Sequence, residues 1–409
     1  MGLPGDPSLR VGYRRAFVSR EFRAVFFGQV VSVTGTSVAA VALTILVYRR
    51  TGSPFLSALT FSLGFLPSLL VGGLLSSVVD RVRPRRLLTG CGLTSGLLAA
   101  LMAWPAIPVP ALLVLLFCIG MLSSLASGAR GGVVRLTVSH EAYVPARSML
   151  RLAAQTAQIG GNAVGGALVV AVGISGAILI NAASFLFAAA LMRLVLPDYP
   201  NLGESTRTGV VRDSLRGARQ ILGIGKVRRL LLLSWLVPMF SVAPEGLAAP
   251  YVAARHGSTT LVGVWLVALP LGIVVGDIAG VRFLNAGRQW LLVAPAAAAG
   301  FIPYLVFVAQ PSIVLALLLL VVAGACGFYS LGLDGRLRDA VPEPLFARTM
   351  ALNAAGLGTS QGVGFALAGA VAQGIGSADA IAIAGGCGLT VTATLMGAEV
   401  FPGLRSRRR

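Results

Sequence analysis

Apolar residues in this chain come in long runs, broken by short polar stretches that are mostly basic. A helix of about 20 predominantly apolar residues crosses the hydrocarbon core of a bilayer. An intact helix or a closed barrel is needed there to satisfy the backbone. The runs place twelve helices, at about 24–48, 54–79, 87–104, 110–128, 149–172, 176–196, 230–252, 259–283, 290–309, 312–332, 348–373 and 378–400. The pattern therefore predicts an all-α membrane protein with twelve transmembrane helices. One stretch breaks the rhythm. Pro197, Pro200, Gly203 and Glu204 open a polar segment, and Arg212, Arg216, Arg219, Lys226, Arg228 and Arg229 then recur at near-helical spacing, with Leu215 and Ile221 on another face. This reads as a linker carrying a surface helix against the anionic lipids of the cytoplasmic leaflet. The chain thus divides into a cytoplasmic lead-in (1–23), a six-helix bundle (24–196), a linker (197–229), a second six-helix bundle (230–400) and a basic tail (401–409).

The stretch 72–88, GGLLSSVVDRVRPRRLL, orients the chain. An apolar run stops at Asp80, Arg81, Arg83, Arg85 and Arg86 follow, and the next run begins at Leu87. Basic loops stay on the cytoplasmic side. With the N-terminus inside, thirty of the 33 Lys and Arg fall in cytoplasmic segments, and only Arg49, Arg50 and Arg255 fall outside. Both termini are then cytoplasmic, in the plasma membrane.

Composition agrees. The chain is 56% hydrophobic and 11% charged, whereas a soluble domain keeps roughly a quarter of its residues charged. The net charge of +19 does not point to nucleic acid, because the basic residues lie between apolar runs, where orientation explains them. The first run is too long for a signal-peptide core, and no small-residue cleavage site follows it. Cys91, Cys118, Cys326 and Cys387 lie inside apolar runs and read as small core residues, with neither disulfide nor metal spacing. His140 and His256 are too isolated for a metal site. No glycine-rich loop ends in Lys-Ser/Thr, so the sequence offers no ATP site, no cofactor and no enzyme chemistry.

An internal repeat sharpens the architecture. Arg135-Leu136 and Ala146-Arg147-Ser148-Met149 recur as Arg336-Leu337 and Ala347-Arg348-Thr349-Met350, at one offset, each joining the fourth helix of a half to its fifth. Ser53, Pro67 and Gly73 correspond loosely to Ser258, Pro270 and Gly276. Two halves of the same orientation mark a parallel duplication.

At four places the sequence resembles the major facilitator superfamily, and within it the bacterial drug and siderophore exporters, the group that includes the enterobactin exporter. Asp80-Arg81 with Arg85-Arg86-Leu87 looks like the loop motif between helices two and three. Gly28-Gln29, Ser32, Gly35 and Tyr48…Thr51-Gly52-Ser53-Pro54 are similar to the opening of that exporter group. Asn181-Ala182-Ala183-Ser184-Phe185 matches its sixth helix, and Gly160-Gly161…Gly165-Gly166 its fifth. There are departures: Ser76 and Arg83 replace glycines of the loop motif, Gly161-Asn162 stands where antiporters carry Gly-Pro, the fourth helix has no arginine before Arg130, and Thr36 stands where an acid is frequent. These leave the fold intact and weaken the case for proton antiport through the family's usual residues.

An ionisable group inside a bilayer is costly, at about 2.5–3.5 kcal/mol or more. Glu245, in the seventh helix between Pro244 and Gly246 with Pro250 beyond, is the first candidate for binding a cation or carrying a proton; a hydrogen-bonded structural carboxyl is the alternative. Prolines there free carbonyls that can face a cavity. Asp277 in the eighth helix is second. Gln29, Thr36, Gln155, Asn162, Trp235, Asn353 and Gln361 are the main cavity candidates for a small-molecule substrate, each also able to serve as interhelical glue. Gly160, Gly161, Gly165 and Gly166 allow close helix approach. Trp104, Trp265, Trp290 and Tyr251 read as interface anchors. The resemblance implies that Asp80, with Arg81, Arg85 and Arg86, gates the cytoplasmic side. Asp80 can pair with Arg130 and face the positive N-terminus of the eleventh helix at 347–349; it is otherwise an exposed loop charge.

The expected function is export of a small amphipathic compound (a drug, siderophore or secondary metabolite) by alternating access and proton antiport, by a monomer. Two readings stay open beside it: a gradient-independent facilitator or importer of a nutrient, and a non-transporting membrane sensor with the same fold.

Overall fold

A computed structural model of the chain describes residues 17–67, 82–199, 210–284 and 286–400. Among them the secondary structure is helical, with no strand. Helix occupies every interval in which the hydropathy pattern places one, as far as those intervals are described. Asp80, Arg81, Ser76, the second part of the second expected helix, most of the lead-in and the tail 401–409 lie outside the described residues.

Eight helices among the described residues are long and apolar enough to cross a membrane. One apolar segment, Met149–Val195, is continuous over 47 residues. At 1.5 Å per residue that is about 70 Å, more than twice a hydrocarbon core of about 30 Å. Gly173 resolves the mismatch. Its φ of 76° and ψ of 171° are non-helical, in a region that favours glycine, so 149–172 and 174–195 are two helices meeting at that residue.

The chain forms two compact units. The first comprises Met1–Leu43 and Leu70–Val210. In it, the larger part of α1 (Arg20–Thr51), α2 (Pro84–Met102), α3 (Val109–Thr137) and the two helices of 149–195 share a core that includes Phe22, Val25, Leu88, Cys91, Val133 and Met192. Gly161 and Gly165 lie close against Thr34 and Val38 of α1, as their spacing predicts, whereas Gly160 faces away from any neighbour. Gly92 and Gly96 let α2 approach Phe185, Ala189 and Leu186. Arg85 donates from Nε and Nη2 to the Arg193 carbonyl, at 3.1 and 2.7 Å. It satisfies a carbonyl in the last turn of that helix, where cations are favoured. Arg83 pairs with Asp198 just beyond.

The second unit comprises Thr44–Leu69 and Val211–Arg409. The segment Pro54–Phe65 packs along α10 (Phe346–Ile375). Phe61 and Phe65 stack on Phe365, with centroids 5.3 and 5.7 Å away, and the Ser62 hydroxyl donates to the Gly362 carbonyl at 2.7 Å. A helix, α4 (Val210–Gly223), occupies the expected linker; its Ile221 is buried and its Arg219 exposed. The seventh expected helix is in three pieces: α5 (Gly225–Ser241), α6 (Ala243–Gly246) and α7 (Ala248–Ala253). Next come α8 (Thr259–Phe283) and α9 (Ile313–Ala325), which touch backbone to backbone at Gly272, Gly276 and Gly324. Both copies of the internal repeat lie at helix junctions, the first between Thr137 and His140 and the second between Ala340 and Phe346.

Candidate functional site

The broken seventh helix is where the second unit concentrates its polar groups. Pro238, Pro244 and Pro250 have no N–H to give to the carbonyl four residues earlier, so the ladder cannot run unbroken through this stretch. Side chains from neighbouring helices take up carbonyls of the interrupted segment. The Tyr304 hydroxyl donates to Ser241 O at 2.9 Å, and Trp265 Nε1 donates to Pro244 O at 2.7 Å. Beyond the break, the Tyr251 hydroxyl and Arg255 Nε both donate to Pro311 O at 2.9 Å, with the Arg255 guanidinium 3.9 Å over the Tyr251 ring. This corrects the reading of Trp265 and Tyr251 as interface anchors. Both are fully buried, at 1% and 0% exposure, because their polar tips satisfy internal carbonyls instead of reaching the headgroups. Trp104, 66% exposed, remains free for that role. The Trp290 side chain lies outside the described residues.

Glu245 sits in the short piece α6, half-buried. Its span starts at Gly225, earlier than expected, so the carboxylate lies past the midpoint on the Ala253 side. It lines a small crevice with Pro244, Trp265, Leu266, Leu269, Pro270 and Leu320. No cation is among those neighbours. Tyr304 is close enough to feel its charge. The next residue, Gly246, leaves a gap that the Phe365 ring fills, since a Cβ there would stand 2.8 Å from that ring.

The other candidates fall into separate neighbourhoods. In the second unit, Trp235 and Asn353 come together: Trp235 Nε1 donates to the Asn353 carbonyl at 3.2 Å and to its side-chain oxygen at 3.1 Å. Gln361 is half-buried on the same helix as Asn353. Asp277 lies apart from this group, within electrostatic reach of Asp334, and its Oδ1 is buried with no hydrogen-bond partner. In the first unit, Gln29 Nε2 donates to Leu150 O at 3.4 Å. Thr36 donates to Asn181 Oδ1 at 3.4 Å, and Ser184 donates to the Asn181 carbonyl at 2.7 Å. Asn162 is buried at 3% and Gln155 is exposed. Of the gating residues, Arg130 is half-buried near Cys91, Arg85 holds Arg193 O, and Arg86 is exposed. No group of three or more His, Cys, Asp or Glu that could hold a metal ion occurs among the described residues.

Sequence reasoning missed Tyr304, Trp265 and Pro270 as companions of Glu245. The prolines carried the one available signal: Pro244 and Pro250 mark the break. Nothing in the hydropathy of the eighth and ninth expected helices shows which aromatic reaches it.

Membrane-length helices in two compact helical units define the class: a polytopic membrane protein. Comparison with known proteins gives the family. The Major Facilitator Superfamily profile matches residues 25–334, and the chain belongs to that superfamily. It is similar to the uncharacterised MFS-type transporter YkuC of Bacillus subtilis (strain 168), 25% identical over 281 residues, which are 64% of this chain and 65% of that protein. The chain therefore spans somewhat less than two thirds of that relative's length. It is also similar to the enterobactin exporter EntS of Shigella boydii (serotype 4, strain Sb227), 25% identical over 85% of this chain and 84% of that one. Solved structures share the fold. They include PepTSo, a POT family transporter (TM-score 0.69, 11% identity, 96% and 99% of the two chains). A bacterial homologue of the human lysosomal transporter Spinster is another (TM-score 0.64, 14% identity, 98% of both), as is the human organic anion transporter MFSD10 (TM-score 0.61, 17% identity, 92% and 99%).

Proposed function

We propose that this transporter exports a small amphipathic compound (a drug, siderophore or secondary metabolite) in exchange for protons, by alternating access, as a monomer in the plasma membrane with both termini cytoplasmic. The observation that carries the reading is Glu245: a carboxylate set into a broken membrane helix, beside an apolar crevice, with no cation among the residues that line it. A carboxylate in such a place is costly to keep charged, so it is suited to taking up and releasing a proton. The sparsely charged surroundings favour a lipophilic or weakly cationic substrate over a dianion. Likeness to an enterobactin exporter over most of the chain supports the outward direction.

The test is accumulation of a lipophilic cationic dye in cells that express the protein. Expression lowers accumulation, a proton uncoupler restores it, and Glu245→Gln abolishes the lowering. Raised accumulation on expression would identify an importer or a facilitator, and lowering that ignores the uncoupler would exclude proton coupling.

A further inference from the structure

The helical segment Pro54–Phe65 belongs in sequence to the first six-helix bundle, yet it is part of the second compact unit. It docks there along α10 at successive levels. At its start the Ser53 hydroxyl donates to Gln373 Oε1 at 2.6 Å. Further on, a Cβ at Gly369 would stand 2.7 Å from that of Ala58 and 2.9 Å from the Phe55 Cα. Phe61 and Phe65 then stack on Phe365, and the Ser62 hydroxyl reaches the Gly362 carbonyl at 2.7 Å. Ala58, Ser62 and Phe365 are fully buried, so water is excluded from this contact. Under the proposed orientation it lies toward the outer face. Phe365 also has a second contact. A Cβ at Gly246, the residue after Glu245, would stand 2.8 Å from the Phe365 ring and 3.4 Å from the Ala58 Cβ. The ring therefore lies on the backbone of α6 while it carries Phe61 and Phe65. Gly364, just before it, fixes α10 to the same broken helix: a Cβ there would stand 2.0 Å from Met239 O. Piece α6 has four residues with a break at each end, so it can shift without carrying the whole helix with it.

We propose that Phe365 is a positioning residue that ties the segment bearing Glu245 to the docked helix Pro54–Phe65. Docking on α10 requires α6 in the position seen here, and a shift of α6 drives the ring out of its stack and releases Pro54–Phe65. Close-packed interiors transmit such displacements because they leave no slack. Any alternating-access carrier opens and closes at both faces; the contacts here assign the link between the carboxylate and the outer face to one ring. Charge gives the direction. No cation is among the residues that line the crevice with Glu245, and an apolar setting favours the neutral carboxyl. Tyr304 is the titratable group in electrostatic reach of it, and its hydroxyl donates to Ser241 O. The docked helix therefore goes with a neutral Glu245. An ionised Glu245, drawn toward water, goes with release.

This inference rests on Glu245 being the proton carrier, and the readout keeps the two apart. The parent is the full-length chain carrying Ser62→Cys, with its four native cysteines replaced by alanine. Its rate of reaction with a membrane-impermeant thiol reagent added from outside reports release of Pro54–Phe65. Glu245→Gln, permanently neutral, slows that labelling about tenfold, within the usual range of coupling between sites. Phe365→Leu speeds labelling and removes the difference, so that Glu245→Gln no longer alters the rate. Phe365→Met, flexible and of similar reach, does the same where the leucine variant fails to insert. Phe61→Leu is the control for mere loosening: it weakens the stack, leaves Gly246 covered, speeds labelling and keeps the tenfold difference. A difference that survives Phe365→Leu or Phe365→Met would overturn the tie, as would a parent whose labelling Glu245→Gln leaves unchanged. If that unchanged labelling accompanies lost dye accumulation, the carrier stands and the link falls. Slowed labelling with normal accumulation keeps the link and removes the carrier.

Discussion

At Gly276 an added Cβ would stand 2.0 Å from the Ala325 carbonyl oxygen, and at Gly272 2.2 Å from that of Val321. Real Cβ atoms do not approach backbone oxygens so closely, so α8 and α9 must separate to admit a methyl group. Gly276→Ala should therefore cost about 1–3 kcal/mol, as overpacking does. Gly386, in a helix with nothing within 4 Å of its would-be Cβ, gives the control: Ala there is neutral or gains about 0.5–1 kcal/mol. Melting of the two variants in detergent checks the contrast, and equal melting would show that the α8–α9 contact is looser than described. Residue-scale features were legible in the sequence where chemistry marked them. Glu245 stood out because a charge inside an apolar run needs a reason, and Asn181-Ser184 stood out as a motif whose contact with Thr36 the structure supplies. Gly276 stood out only as a loose repeat position and not as a close contact, because among 51 glycines only the neighbouring backbone distinguishes a close-contact glycine from an idle one.

Elements were legible to the extent that hydropathy and proline control them. Helix 259–283 was placed to the residue, since Ser258 precedes a mostly apolar run that ends shortly before Gly287-Arg288-Gln289. The turn at Gly173 falls in the gap expected between 172 and 176. The three-piece seventh helix was foreshadowed by Pro244 and Pro250, but its repair was not, because Trp265 and Tyr304 arrive from other helices whose rotation no single-helix pattern records. That repair is testable. Trp265→Phe keeps an aromatic ring, though a smaller one, and removes the donor to Pro244 O, leaving a buried acceptor unmatched. We expect a loss of about 1–3 kcal/mol, seen as a lower melting temperature. A variant as stable as wild type would mean that the carbonyl finds another donor. At Gly173 an alanine must adopt a positive φ with extended ψ, a strain of about 1–3 kcal/mol, and its melting temperature should fall likewise.

For the whole molecule, charge is the ground for the proposed orientation. Thirty of the 33 basic residues fall in segments that the alternation of spans assigns to one side, and positive loops are retained in the cytoplasm. A single cysteine at Arg83 or Ser406 should react with a membrane-impermeant thiol reagent only after the cytoplasmic face is opened, and one at Gly257 should react from outside. Labelling in the reverse order would turn the topology over. The family was legible too, since its loop and helix motifs are local in sequence. Substrate identity was not, because the polar candidates are scattered from Gln29 to Gln361 and no spacing gathers them.

The central claim is that Glu245 couples flux to protons. It is tested most directly in proteoliposomes, by comparing wild type and Glu245→Gln for accumulation of a lipophilic cationic dye under an imposed pH gradient and for dye exchange without one. The account predicts that the variant still exchanges dye but no longer accumulates it when the gradient is applied. Accumulation by the variant equal to wild type would contradict it.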